Sequence, residues 1–238
     1  GMVAVVPLTI IGGLFMIVTH LPVSGWDARV EPYRALLQIP VTATFGLLAV
    51  VACFSIAHDL GQRLRQDALA SASMATVAFL LIQLDAAAGT LVMDNLGSRG
   101  LFTAILVALV SVHVQKFFTD RAMVIRMPSG VPPIVAQSFA SLSPLFFLLV
   151  LFWAVRFVAG VDINQVVQTA FAPLVFALNT LPGILVYASL VTVLWSIGIN
   201  GDNAVDVVVA PIFLEYLSAN VAAMSAGREL PYVTAYGF

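Results

Sequence analysis

The sequence predicts an all-α, polytopic transmembrane protein with an interfacial helix and a re-entrant helical hairpin. Three observations lead there. Hydrophobic residues make up 61% of the chain and charged residues 9%, whereas soluble domains hold about 25% charged and 45–50% apolar residues. The mean hydropathy is +1.04. Finally, the stretches without charge are long: Met2–Trp26, Ala35–His58, Ala68–Leu84, Gly100–Gln115, Met127–Val155 and Ile163–Gly201.

A helix needs roughly 20 apolar residues to cross a hydrocarbon core of about 30 Å. The first, second and fifth stretches reach that length, the third and fourth approach it, and the sixth holds more than one element. They are apolar all round, without the alternation over about 10-residue segments that marks a β-barrel. Backbone groups cannot stay unpaired in hydrocarbon, so the spans are expected to be helices.

The first helix is expected over Val3–His20, closed by Pro22 and the polar stretch Ser24–Arg34. The second covers Ile39–His58, and the loop Asp59–Asp67 follows. The third, Ala68–Leu84, is rich in small residues (Ala70, Ser71, Ala72, Ser73, Ala75), which let helix backbones approach closely in lipid. The fourth is Leu101–Phe118 and the fifth Ser138–Val158. Arg63, Arg65, Lys116, Arg121 and Arg126 fall on one side, against Arg29, Arg34 and Arg99 on the other. The positive-inside rule then puts the N-terminus in the cytoplasm.

The pattern changes after Gly160-Val161-Asp162. Ile163–Leu178 mixes Asn164, Gln165, Gln168 and Thr169 with an apolar face of Val166, Val167, Ala170, Phe171, Leu174 and Phe176. This suggests a helix lying in the interface, with an ordinary span as the alternative. Leu181–Ile199 is a sixth span, with Pro182 in its first turn, where proline is tolerated. The segment Ala204–Ala223, interrupted by Asp206, Pro211 and Glu215, fits a re-entrant hairpin better than a full crossing.

Composition also excludes functions. The net charge of −2 and the lack of a basic run argue against nucleic acid. The single cysteine, Cys53, excludes an intrachain disulfide and a cysteine-rich metal site. It is expected to be a buried small hydrophobe. His58 and His113 have no ligands at metal spacing, so no metal or other cofactor is expected. Gly1-Met2 offers no basic n-region, and no secretory signal is expected.

Ser196–Asp206 concentrates polar groups between two apolar segments. Ionisable groups at membrane depth are costly and usually face a cavity, and broken helices there build transporter sites. Asn200, Gly201, Asp202 and Asn203 could exchange hydrogen bonds with sugar hydroxyls, and Trp195 could supply the flat surface on which a sugar ring packs. The alternative is a short aqueous loop with Asp202 as a helix N-cap. Arg99 opens the fourth helix, either as a loop charge or as a group reaching a polar site. Asp85 and Asp94 are read as solvated, and Arg156 as snorkelling to the interface.

Met127-Pro128-Ser129-Gly130-Val131-Pro132-Pro133-Ile134-Val135-Ala136-Gln137-Ser138-Phe139 resembles the MP-x-GVPP-x-V-x-x-SF signature of the enzyme IIC permeases of the bacterial sugar phosphotransferase system, lactose/cellobiose/diacetylchitobiose branch. Leu194–Asn203 is similar to that family's LLW-x-x-GIHG-x-N segment. Gly97–Phe102 resembles its G-x-[KR]-GLF stretch, and Gly1–Leu14, with Pro7 and Gly12-Gly13, its first span. The resemblance implies a multi-pass protein of the bacterial inner membrane and a homodimer. It implies a scaffold and dimerisation domain over 1–160 and the start of a transport domain over 161–238 that moves like an elevator. It also implies a disaccharide substrate of cellobiose, lactose or chitobiose type, phosphorylated by a separate cytoplasmic enzyme IIB, with no catalytic residue on this chain. Two departures stand out. Asn200 occupies the position of the family's sugar-contacting histidine. The family's second hairpin, with its Asn-Glu-Pro motif, falls beyond Phe238, and the expectation is a fragment or incomplete chain. The alternative is a short, non-transporting scaffold or partner-binding relative that keeps the dimer half.

Overall fold

A computed structural model of the chain describes residues 2–21, 23–128, 130–198 and 201–233. After a 3-10 turn at Met2–Val5 come α1 (Val6–Thr19), α2 (Trp26–Val30), α3 (Arg34–Phe45), α4 (Leu48–Arg63), α5 (Ala68–Ile82) and α6 (Leu101–Asp120). They are followed by α7 (Pro133–Ala140), α8 (Leu142–Trp153), α9 (Ile163–Leu178), α10 (Leu181–Ser196) and α11 (Gly201–Ser225). The one β-like feature among the described residues is an isolated bridge, Leu84 with Leu91.

Among the described residues, four helical runs are long and apolar enough to cross a bilayer, Trp26–Arg63, Ser98–Asp120, Val135–Val158 and Val208–Ser225, with the bent pair Ile163–Leu178 and Leu181–Ser196 as a fifth if it is one span. Large apolar side chains stand exposed along α8, α9 and α10. Phe146 and Leu181 are each 72% exposed and Phe176 74%, which water would penalise and lipid accepts.

The elements depart from the sequence reading in three places. The expected second helix is two, broken at Gly46-Leu47 and preceded by helical turns from Trp26. The expected fifth starts earlier, at Pro133, breaks at Ser141 and ends in a π-helical turn over Ala154–Val158. The segment expected to fold back on itself over 204–223 is one continuous helix with Pro211 inside it. Proline removes a single backbone hydrogen bond, and neighbouring helices compensate for it in membranes. The hairpin is made instead by α10 and α11, which pack on each other, with Tyr187 edge-on to Phe213 at 5.7 Å between ring centroids.

The chain forms two compact units, one of residues 1–9 and 46–164, the other of residues 10–45 and 165–238. The first is built on α4, α5 and α6. Its core mixes large side chains such as Leu48, Phe79 and Ile82 with many small ones: Ala49, Ala52, Cys53, Ala57, Ala72, Ala75, Ala78, Ala104 and Ala108 are all fully buried. Between helices in lipid there is no hydrophobic drive to association, so close packing of small residues supplies the attraction. Gly61 marks the closest approach: a Cβ there would sit 2.6 Å from Ser71 Oγ and 2.9 Å from Ser71 Cβ.

One buried polar pair fixes the far end of α5. Gln83, the residue that ends α5, donates from Nε2 to Asn164 Oδ1 (3.3 Å) and accepts from Asn164 Nδ2 at Oε1 (2.8 Å). Both side chains are buried. The two amides satisfy each other reciprocally, which a buried amide requires.

Helix ends in this unit are closed by a recurring turn. After α4, Gln66 N–H donates to Gly61 O and Arg65 N–H to Gln62 O; after α6, Met123 N–H donates to Phe118 O and Ala122 N–H to Thr119 O. These are Schellman motifs, whose left-handed position favours glycine. Here it is held by Arg65 (φ 56°) and Ala122 (φ 54°). The same turn after α11 uses Gly227 (φ 64°).

In the second unit α9 meets α10 at 87°. Two consecutive helices at a right angle cannot both run along the membrane normal, which suits α9 to the interface and α10 to a crossing. The bend leaves α9's last carbonyls without helical partners. Phe176 O accepts from Asn179 N–H, and Ala177 O from Thr180 N–H and Oγ1. The Tyr216 hydroxyl donates to Val175 O. Thr180 then accepts from Gly183 N–H at 3.2 Å, as the N-cap of α10.

Two expectations follow. Gln83→Leu or Asn164→Leu alone should cost about 1–3 kcal/mol by stranding a buried amide. The double variant should cost less than the sum. Thermal unfolding in detergent of the four proteins measures this coupling, and strictly additive losses would mean the pair does not act as a unit. Ala122→Gly should raise stability by about 1 kcal/mol by relieving the left-handed backbone, read as a higher unfolding midpoint.

Candidate functional site

The polar segment singled out in the sequence lies where α10 gives way to α11. α10 ends at Ser196, and Gly198 adopts φ +82°, a conformation that suits glycine, with its N–H donating to Trp195 O at 3.0 Å. Trp195, in the last turn of α10, is 51% exposed. Asn200 lies outside the described residues. Gly201, Asp202 and Asn203 form the first turn of α11; their side-chain positions also lie outside the described part. Because the helix starts at Gly201, Asp202 sits within its first turn and is not the N-cap. The backbone N–H groups of a first turn have no intrahelical acceptors, so the chain offers such donors six residues after the exposed Trp195.

Arg99 belongs to the other unit, in a 3-10 turn at Ser98–Gly100. Its guanidinium lies 3.7 Å from the Asp94 carboxylate, and both side chains are largely exposed. Exposed pairs of this kind contribute about 0–1 kcal/mol. The loop that holds them is ordered by its own backbone: Val92 N–H donates to Gln83 O and Asp85 N–H to Thr90 O, both at 2.9 Å. Ala49 N–H, in the first turn of α4, donates to Leu96 O. Arg156 does not simply snorkel; it pairs with Asp162 at 3.3 Å.

Asp85 folds over the same loop. Its carboxylate accepts from Ala88 N–H (3.1 Å) and Ala87 N–H (2.7 Å). These two donors, Ala88 first, hold its pKa below the usual carboxylate value, with help from the Arg156 charge and against slight desolvation.

An aromatic cluster in the second unit is a feature that sequence reasoning missed. Tyr216 stacks on Tyr232 at 4.2 Å between centroids and tilts against Phe213 at 6.0 Å. Asn220 clamps the chain beyond α11, donating to Tyr232 O (2.9 Å) and accepting from Tyr232 N–H (3.0 Å). Tyr216 and Asn220 stand four apart on α11 and so share a face. That spacing was the available signal, but their partner is twelve residues further along the chain.

Comparisons with known proteins bear on this arrangement. The family model described as "Phosphotransferase system, EIIC" matches residues 1–238. The chain is 33% identical to the lichenan permease IIC component of Bacillus subtilis (strain 168), over 98% of this chain and 57% of that protein. It is 32% identical to the cellobiose-specific EIIC component of Geobacillus stearothermophilus, over 100% and 58%. The chain thus spans less than three fifths of the length of these curated relatives. The crystal structure of the transporter ChbC, the IIC component from the N,N'-diacetylchitobiose-specific phosphotransferase system, superposes with a TM-score of 0.91 at 33% identity, covering 99% of this chain and 60% of that one.

For the Asp85 loop, a depressed pKa means stabilisation that is complete above the ordinary aspartate value of about 3.9 and is lost as pH falls through the lower folded value. Asp85→Ala should therefore lower the melting temperature at pH 7. The gap from the parent protein should close in acid. A gap independent of pH would show that the carboxylate charge does not hold the loop.

Proposed function

This chain belongs to the EIIC family of the phosphotransferase system, and on that premise we propose that it is the sugar-binding, membrane-embedded part of a permease for a disaccharide of cellobiose, lactose or chitobiose type. The observation that carries the reading is the α10–α11 junction. An exposed indole at Trp195 ends one helix, and Gly201, Asp202 and Asn203 open the next. The relatives carry cellobiose, lactose, lichenan and N,N'-diacetylchitobiose in their names. Sugars present a flat apolar face and a rim of hydroxyls. An indole suits the face, while amides and carboxylates suit the rim, donating and accepting as each hydroxyl demands.

In this reading Trp195 is a wall of the site, and Asn200, Gly201, Asp202 and Asn203 make polar contacts. Asn200 supplies a neutral donor and acceptor. Arg99 is the further residue that this reading assigns to sugar binding. The chain holds no catalytic residue; a separate cytoplasmic enzyme IIB donates the phosphoryl group once the sugar is carried across. The permease works as a homodimer in a bacterial cell membrane, with its N-terminus in the cytoplasm. Residues 1–160 are the scaffold, and 161 onward begins the domain that moves like an elevator. Residues 10–45 cluster with the second unit by contact, and this reading assigns them to the scaffold by sequence order.

Asn203→Ala in the full-length protein should weaken disaccharide binding about 5- to 100-fold, the effect of losing one or two buried polar contacts. Trp195→Ala should weaken it as well. Titration calorimetry with cellobiose, lactose and diacetylchitobiose measures both. Unchanged affinity in Asn203→Ala would remove that residue from the site, and no binding of any of the three by the parent protein would favour a scaffold role.

A further inference from the structure

An open groove of about 490 Å³ lies in the first unit, lined by Phe118, Ile125, Leu142, Phe146, Phe147 and Val150, with Ser143 the sole polar side chain. Phe118 meets Phe147 at 5.4 Å between ring centroids, so the rings at the end of α6 and along α8 form a continuous apolar wall. The groove reaches the polar end of α6. There the turn at Ala122 brings the chain back, and Ile125 joins the lining.

Positive charge prevails where the chain leaves α6, although Asp120 and, in the α4–α5 loop that Gln115 contacts, Asp67 lie at the same end. Lys116 is neutralised by Asp120 at 2.6 Å. Beyond Asp120 the next acidic residue is Asp162. Arg121 and Arg126 are exposed, and neither has an ion-pair partner among the described residues. The Arg121 guanidinium sits 5.0 Å from the centre of the Phe117 ring, and Phe117 packs against Phe118 of the groove wall at 6.1 Å. Arg126 directly follows Ile125, another lining residue. Both cations therefore belong to the segment that follows Phe118 and includes Ile125, the same segment that supplies two of the lining residues.

We propose that this groove is a specific site for an anionic phospholipid, with an acyl chain along Phe118, Leu142, Phe146 and Phe147 and the headgroup phosphate held by Arg121 and Arg126. Charge complementarity selects the occupant. A guanidinium binds phosphate through paired N–H donors, and basic residues beside a span attract anionic headgroups. A zwitterionic lipid fills the groove equally well but gains less from the two cations. The site owes nothing to sugar recognition and stands or falls separately from it.

Native mass spectrometry of the full-length protein, given phosphatidylglycerol and phosphatidylcholine with matched acyl chains, tests the proposal. The parent protein should retain one phosphatidylglycerol per protomer in preference to phosphatidylcholine. Each arginine removed should weaken that preference about fivefold, so Arg121→Gln/Arg126→Gln should abolish most of it. Arg121→Lys/Arg126→Lys keeps the charges and should keep much of the preference, which separates a lost contact from a damaged fold. Ser143→Phe, which occupies the groove, should reduce retention of both lipids. Equal retention of the two lipids by the parent protein, or undiminished preference in the Gln variant, would overturn the proposal. So would a Ser143→Phe variant that changes the protomer association but not the lipid count, since the groove would then be a contact between copies.

Discussion

Everything in this fold follows from the need to pair each backbone N–H and C=O where water is absent. Straight helices meet the need by themselves; bends and ends do not. The right-angle turn between α9 and α10 is possible because Asn179, Thr180 and the distant Tyr216 hydroxyl each take one of the carbonyls it frees. The closures of α4 and α6 take up two more each, even at the cost of a left-handed arginine and a left-handed alanine.

Side-chain polarity obeys the same rule. Gln83 and Asn164 are buried only because each completes the other. The Asp85 carboxylate is held by two backbone donors, Ala88 and Ala87 N–H. These pairings organise one end of the first unit, and among the described residues no ion pair is fully buried. In a low-dielectric setting this is the cheaper arrangement, since buried charges carry a large desolvation penalty.

Much of this was legible in the sequence. Long uncharged runs gave the helices, and a change of composition at Gly160 marked the start of an element of different character. Breaks inside apolar runs were hidden. Between Ile39 and His58 the interruption at Gly46-Leu47 is marked only by the glycine itself, and both sides remain hydrophobic. Pro211 read as an interruption, yet the helix passes through it. The candidate site was visible as a cluster of polar residue types, with Trp195 just before it, whereas the aromatic clamp of Tyr216, Asn220 and Tyr232 was not. Its members are ordinary span residues until the chain returns to meet them.

The alanine-lined heart of α4, α5 and α6 has an evolutionary consequence. In most proteins, random substitution damages a core by leaving holes, because large residues are replaced by smaller ones. At the alanines there is almost nothing to remove, unlike at Leu48, Phe79 or Ile82 beside them. A single base change turns an alanine codon into one for glycine, serine, threonine, valine, proline, aspartate or glutamate, and only glycine is smaller. Nearly every accessible change at these positions forces the helices apart. Drift in this family should therefore be slow along the helix contacts and fast on the lipid-facing side, the reverse of what the greasy exterior of the molecule would suggest to a reader used to soluble proteins.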